Sequence, residues 1–570
     1  MARCKRKLFS SLVVICSAAA GSGLVGVPRI ALANWPSAGL PVCTTPAGQD
    51  SYHIISNDAG GFFAVWSDTR GGFNSDIYAQ RVGPSGDALW APNGVLIAGG
   101  PANQAWPQVV SDGAGGIIVV WQDYRSGNYD IYAQRVHGNG TAAWSVNGVS
   151  VCVHTGTQDF PVIAMDDAGG AIIAWNDHRD FSDLFAQRIA ADGAKMWPVD
   201  GVVLCDAYNA QVGCQVVSDG VGGAIFAWGD NRLLSGTTDM WAQRIDGLGN
   251  ALWAPNGNLV SGAPGQQGFP LIASDGNSGV IVAWDDWRVP AADAYAQRMN
   301  ADGTGAWLTD GTAESAAAGN QYPRGVVGDG FGGAVTVWED GRSLTPNYDI
   351  YAQLTDANGA STWGADGTPI CTASGKQSMP GVVSDGSGGF IIAWSDARGT
   401  YANIFAQRVT GNGAPLWTLN GVAIAPAASA QAGPQMVSDG SGGAYVLWRD
   451  ETGGYGLVAQ RVGSLGLIPS GVGPDRVPSG MTLSPGVPNP TGGPVSFDVT
   501  LSAQSEARLA VYDVAGRLIA TRSLGATNGT LNRFTFDGRD DSGAMLPSGV
   551  YFCRITAGNA SQVRKFVVQR

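Results

Sequence analysis

Apolar and polar positions follow one another along most of this chain in short runs, and the runs recur. In residues 107–152 they read PQVVSD, GIIVVWQD, DIYAQRV and AAWSVNGVSV. SDGAGG separates the first two runs and HGNG the last two, which is turn chemistry between strands. Four strands per period, joined by tight turns, predict an all-β chain.

The period is read from tryptophans. Trp66, Trp121, Trp175, Trp228, Trp284, Trp338, Trp394 and Trp448 close the second run at nearly even steps. A repeat of about 50 residues with four strands predicts a β-propeller of radially repeated sheets. A second series, Trp90, Trp144, Trp197, Trp253, Trp307, Trp363 and Trp417, marks the fourth run. The interval from Trp90 to Trp121 recurs unchanged from each member of the second series to the next Trp of the first. Every change of length falls between W-x-D-x-R and AQ, so one hairpin loop varies and the other connections are fixed. The last period lacks its second Trp. The same constant interval, counted back from Trp66, reaches Trp35. The expectation is an eight-bladed ring in which the N-terminal strand completes the blade begun by the C-terminal three, leaving no open sheet edge.

Trp, Asp and Arg lie at i, i+2 and i+4 and share one strand face. Trp66, Asp68 and Arg70, then Trp121, Asp123 and Arg125, begin the series; Thr452 replaces Arg in the eighth unit. An identical eightfold feature is expected of a scaffold, whereas catalysis needs an asymmetric set. The variable loops carry Phe73, Tyr129, Phe181, Tyr348, Tyr401 and Tyr455 on the face that also holds the blade-to-blade connections. That face is the expected binding surface, because flat rings suit sugars or peptide segments; local packing over the blade edge is the alternative.

Composition sharpens this picture. Glycine is 84 of 570 residues and Glu occurs only at 314, 339, 451 and 506, which fits strands and turns rather than helices. Residues 1–33 read as a cleaved signal peptide: basic MARCKRK, apolar LFSSLVVICSAAA and ALA at residues 31–33. The signal carries five basic residues and no acid, so its removal takes the formal charge from −13 to −18. So acidic a chain repels phosphate backbones and excludes nucleic acid as a partner. No later apolar run is long enough to span a bilayer.

With these residues in view, VVWQDYRSGNYDIYAQRV…W resembles the bacterial neuraminidase repeat of sialidase-like propellers, and ADGTGAW (residues 301–307) resembles a worn Asp-box, a structural turn in that family. The resemblance covers residues 34 to about 470. It departs from the family in blade number, since sialidases are six-bladed, and in the absence of a unit-specific arginine cluster, a Tyr–Glu nucleophile pair and an acid Asp. Glu339 is the only Glu beside a repeat Trp, and one Glu is not a pair. After a linker at 474–480, residues 481–570 contain PNP…VYDVAGR…DGRDDSG…SGVYF…RK. This pattern resembles the immunoglobulin-like domain of the flagellar hook-capping protein and the C-terminal sorting domain of the type IX secretion system. It implies a β-sandwich for surface delivery or anchoring, with the export machinery as a partner.

Other chemistry is sparse. Cys43, Cys152, Cys205 and Cys371 share one strand position in different blades, as small buried hydrophobes; a Cys205–Cys214 disulfide is a candidate in an oxidising compartment. No metal spacing is present, and only the acidic loop at residues 537–543 raises Ca²⁺, with a plain turn as the simpler reading. The sequence assigns no catalytic residue. It favours an exported, non-catalytic binding or scaffold propeller for carbohydrate or protein at a bacterial surface. A glycan-active hydrolase on the same scaffold and a structural envelope protein are the alternatives.

Overall fold

The computed structural model describes residues 35–466 apart from 47, 58, 180, 233–235, 344–346 and 452–455. In the C-terminal part it describes 468, 481–483, 491–501, 505–513, 518–527, 532–557 and 560–570. The signal segment, the linker 474–480 and Tyr455 lie outside the described residues.

Among the described residues every regular element is a strand. Residues 35–462 form eight four-stranded antiparallel sheets in a propeller-like repetition. The first sheet holds Gln49–Ser56, Phe62–Asp68, Asp76–Val82 and Val95–Ala98 in that order. Six further sheets repeat this order. The remaining one runs Gln431–Ser438, Ala444–Asp450, Gly456–Val462 and then Leu40–Cys43, with Leu40 opposite Ala459. The N-terminal strand thus lies in the sheet that contains Trp448.

Second strands explain the apolar runs. In the first seven units every residue of that strand is buried. A strand covered on both faces has no need to alternate. Its Trp Nε1–H donates to the Asp two positions on, at 2.8 Å for Trp121 and Asp123. Arg125 forks onto the same carboxylate and lies 3.9 Å over the Tyr132 ring of the third strand. The same arrangement recurs in the first seven units. Gly148 sits at φ 83° beneath this cluster, where a Cβ would lie 2.6 Å from Ala133 O, so only glycine fits.

Second-series tryptophans join neighbouring units. Trp90 Nε1 donates to Gly138 O at 3.0 Å, and six further units repeat the bond. Trp35 makes it too, to Pro84 O at 3.2 Å. The recurring geometry starts from Gln80, whose Nε2 donates to Ala91 O while its Oε1 accepts from Trp90 N. First strands of successive sheets lie side by side, and the first strand of the first unit also meets that of the last. There Tyr52 Oη donates to Gly433 O at 2.6 Å.

The C-terminal part is a sandwich. One sheet holds Met481–Leu483, Val495–Leu501 and Asn532–Phe536; the other holds Leu518–Thr527, Ser505–Asp513, Gly549–Ala557 and Ala560–Val568. Phe497 and Phe536 of the first pack with Leu509, Ile555 and Phe566 of the second. In the acidic loop, Asp540 Oδ1 accepts from Ser542 N and Ala544 N, and Asp541 pairs with Arg522 at 2.7 Å. Backbone and arginine therefore take up these carboxylates as a turn.

One expectation is corrected. Cys205 and Cys214 are free, buried thiols. Cys205 Sγ turns to Asp230 and Arg232 of the adjoining hairpin, at 3.7 and 3.1 Å, while Cys214 Sγ meets Gln215 O. The Asp–Arg cluster thus engages the Cys205 sulfur.

Candidate functional site

Each first strand opens with a buried Gln and kinks shortly after it. The register shifts there, as between Ala105 and Gln108. The kink residue is left-handed at Ser51 (φ 48°), Trp106 (55°), Phe160 (50°), Gly213 (67°), Phe269 (52°), Met379 (53°) and Gly433 (65°). For a large side chain this conformation is an outlier that costs about 1–2 kcal/mol. Strain of this kind gathers at ligand sites. Trp106, Phe160, Phe269 and Met379 are nonetheless 46, 50, 73 and 53% exposed. Trp106 meets Phe160 edge to face at 5.3 Å. With Phe269 they line a largely apolar cleft of about 540 Å³ that also holds Asn176 and His178. His178 Nε2 lies 3.2 Å from Asp159 Oδ1.

In two units the residue between the repeat Trp and Asp accepts the next unit's kink amide. Gln122 Oε1 accepts from Phe160 N at 3.1 Å, and Glu339 Oε1 from Met379 N at 2.8 Å. In the fifth unit this residue is Asp285, and the kink position of the sixth unit is Pro323, which has no N–H. Asp285 is 2% exposed and its Oδ1 has no hydrogen-bond partner among the described residues. Burial pushes its carboxyl up to about 7, against the pull of Arg324 and with a further push from Glu339.

Around this pair the eightfold pattern breaks. Arg324 Nε is 3.7 Å from Glu339 Oε1, and its guanidinium lies 5.2 Å from the Tyr322 ring. Tyr322 stands between Trp287 at 6.3 Å and Tyr348 at 5.9 Å. Lys376 Nζ is 5.7 Å from the Tyr348 ring. Arg324 and Met379 open onto a cleft of about 360 Å³. Three rings, two cations and two carboxyl groups therefore gather on the variable-loop face, where the first strands begin.

Of the described loop aromatics expected to bind, Tyr348 alone joins this cluster. Phe73 is fully exposed and Tyr401 is 47% exposed. Tyr129 packs on Tyr124 at 5.0 Å and Phe181 on Tyr208 at 6.1 Å. Sequence reasoning missed Trp106, Phe160, Phe269, Met379, Asp285, Trp287, Tyr322 and Arg324. A signal existed: of 19 tryptophans, only Trp106, Trp241 and Trp287 fall outside the two series and Trp35, which shares their interval. Trp241 lies under Arg232 as a repeat aromatic, at 3.7 Å. The other two stand on this face.

Comparisons with known proteins come to bear at the C-terminus. No curated protein matches the chain. A solved structure of a protein of unknown function from Dyadobacter fermentans is 11% identical, covering 65% of this chain and 96% of that one, with a TM-score of 0.37. An ulvan lyase of polysaccharide lyase family PL25 is 11% identical, covering 76% and 94%, with a TM-score of 0.41. An α-L-arabinanase from Penicillium chrysogenum is 13% identical, covering 54% and 93%, with a TM-score of 0.32. Likenesses this distant assign no activity. Residues 486–561 match the FlgD Ig-like domain family, so the C-terminal part of the chain carries a domain of that kind.

Proposed function

We propose that this chain is an exported, eight-bladed β-propeller, closed by its N-terminal strand, that binds carbohydrate on its variable-loop face. The C-terminal immunoglobulin-like domain serves sorting or attachment at the bacterial surface. Closure is supported by the pairing of Leu40–Cys43 with Gly456–Val462 and by the Trp35–Pro84 bond. Export is supported by the basic, apolar and small-residue sequence of residues 1–33, and attachment by the family match at 486–561.

The binding reading rests on one observation: Trp106, Phe160 and Phe269 are held exposed on left-handed backbone around one cleft. A fold that needed these rings only for packing would bury them. Rings displayed at a strained turn, beside polar Asn176 and His178, offer sugar C–H faces a platform and sugar hydroxyls a partner. The mature chain on a glycan array is expected to retain at least one oligosaccharide. The Trp106→Ala/Phe160→Ala variant is expected to lose at least tenfold in affinity, with its melting curve unchanged. Retention of peptides but no sugar, or undiminished sugar binding by the double variant, overturns the reading.

A further inference from the structure

The break in symmetry at the fifth and sixth units holds more than a binding platform requires. We propose that Asp285 and Glu339 are the acid and base of a glycoside-cleaving site, with Arg324 between them in charge and Trp287, Tyr322 and Tyr348 as the sugar platform. This deepens the carbohydrate-binding reading and rests on it for the class of substrate.

Four independent features converge on the pair. First, in two units the residue at this repeat position accepts the next unit's kink amide, as Gln122 and Glu339 do. Second, the Asp285 junction alone presents Pro323, so a carboxyl has been placed where its structural partner is missing. A buried polar group left unpaired costs about 1–3 kcal/mol. Third, the neighbour is a second carboxyl, Glu339, which Arg324 approaches at 3.7 Å. Fourth, the aromatic trio is only half-buried and Arg324 is exposed, and Arg324 and Met379 face a cleft of about 360 Å³. Burial keeps Asp285 protonated close to neutral pH, whereas Glu339 has an arginine beside it. Two carboxyl groups in such different environments are what acid–base cleavage needs.

The step balances with water as co-reactant. Asp285 gives its proton to the glycosidic oxygen as the bond from that oxygen to the anomeric carbon breaks. Water adds to that carbon and Glu339 takes its proton. The products are two shorter sugars, one with a new hemiacetal end. The proton then returns from Glu339 to Asp285 through solvent, which restores both groups.

The test uses the mature full-length chain, 4-nitrophenyl α- and β-glycosides of hexoses, pentoses and uronic acids, and any oligosaccharide retained on the array. Wild type is expected to release product, with activity falling as pH rises through about 7. Asp285→Asn is expected to slow cleavage of the oligosaccharide by about 10²–10⁴-fold but to retain most turnover of the nitrophenyl glycoside, whose leaving group needs no proton. Glu339→Gln is expected to abolish both. Both variants are expected to bind the array sugar with wild-type affinity, which shows them folded. Sugar binding without turnover of any probe overturns the cleavage proposal and leaves the binding reading standing. Oligosaccharide turnover by Asp285→Asn equal to wild type also overturns it. Should no sugar bind, the binding reading fails first, and the nitrophenyl glycosides decide the present proposal alone: no release refutes it.

Discussion

Asp285 and His53 show how burial gives two side chains opposite pH signatures. His53, hydrogen-bonded through Nε2 to Gln108 at 3.1 Å, is pushed down to about 4 because burial disfavours its cation. Its unfolded form takes up a proton near 6.5, so its contribution to stability is present above that value and is lost as pH falls toward about 4. Asp285, pushed up to about 7, is the reverse. Its contribution is fully present below the unfolded value near 4 and is lost as pH rises to about 7. Asp285→Asn is therefore expected to melt with wild type at about pH 4 and to be more stable at about pH 8 by on the order of 3 kcal/mol. Denaturation followed across that range checks this; equal stability at the alkaline end contradicts it. A carboxyl that destabilises its own fold at neutral pH is what a functional group costs, and the same substitution slows the proposed oligosaccharide cleavage.

Within single strands, departures from the repeat come in matched pairs. Glu314 occupies a fourth-strand position that is Ile97, Val151, Leu204 or Val260 in other units, and Thr355 a third-strand position that is Val82, Val136 or Ile189. The two meet: Thr355 Oγ1 lies 2.8 Å from both Glu314 carboxylate oxygens in a wholly buried setting. Burial pushes Glu314 up to about 8. Thr355→Val alone removes a hydrogen-bond partner from a buried carboxyl and is expected to destabilise by about 1–3 kcal/mol. The double variant Glu314→Val/Thr355→Val restores the apolar pair found elsewhere and is expected to recover or exceed wild-type stability. A double-mutant cycle by denaturant unfolding measures the coupling, and additive effects would show the pair to be unlinked. The kinked first strand offers a companion case. Phe160→Gly relieves a φ of 50° at a half-exposed residue. It is expected to leave stability unchanged or raise it by up to about 1 kcal/mol while weakening sugar binding.

For the molecule as a whole, the decisive residue is Trp35. It is fully buried, stacks on Tyr445 at 5.7 Å, and shares one apolar cluster with Phe62 and Trp66 of the first unit and Leu447 and Leu457 of the last. Gln460 Nε2 adds a bond to Pro36 O at 2.7 Å. The two ends of the repeat region are thereby held in one sheet, and the loop-closure entropy involved grows only logarithmically with length. Trp35→Ala is expected to cost roughly 3–5 kcal/mol, as for other buried tryptophans, and removal of residues 34–46 to lower the melting temperature further. An unchanged melting curve in either variant would rule out a ring closed through the N-terminal strand.

Periodicity made much of this architecture readable from the chain alone. The strands, their order within a unit and the Trp–Asp–Arg cluster follow from short-range spacing, because each involves residues within one hairpin or repeated at a constant step. Even the place of the N-terminal strand follows from the constant interval that separates the two tryptophan series. The site residues lay beyond that reach. Asp285 is one more acid after a repeat Trp until packing buries it near Arg324 and Glu339 of the next unit, and its protonation depends on burial that no local pattern encodes. Trp106 and Phe160 read as ordinary strand residues until the kink turns them outward. The Cys205–Cys214 pairing failed for the same reason: closeness in sequence says nothing of where two sulfurs point. Repetition reveals what every unit shares, whereas function resides in departures whose partners are chosen only when the units meet.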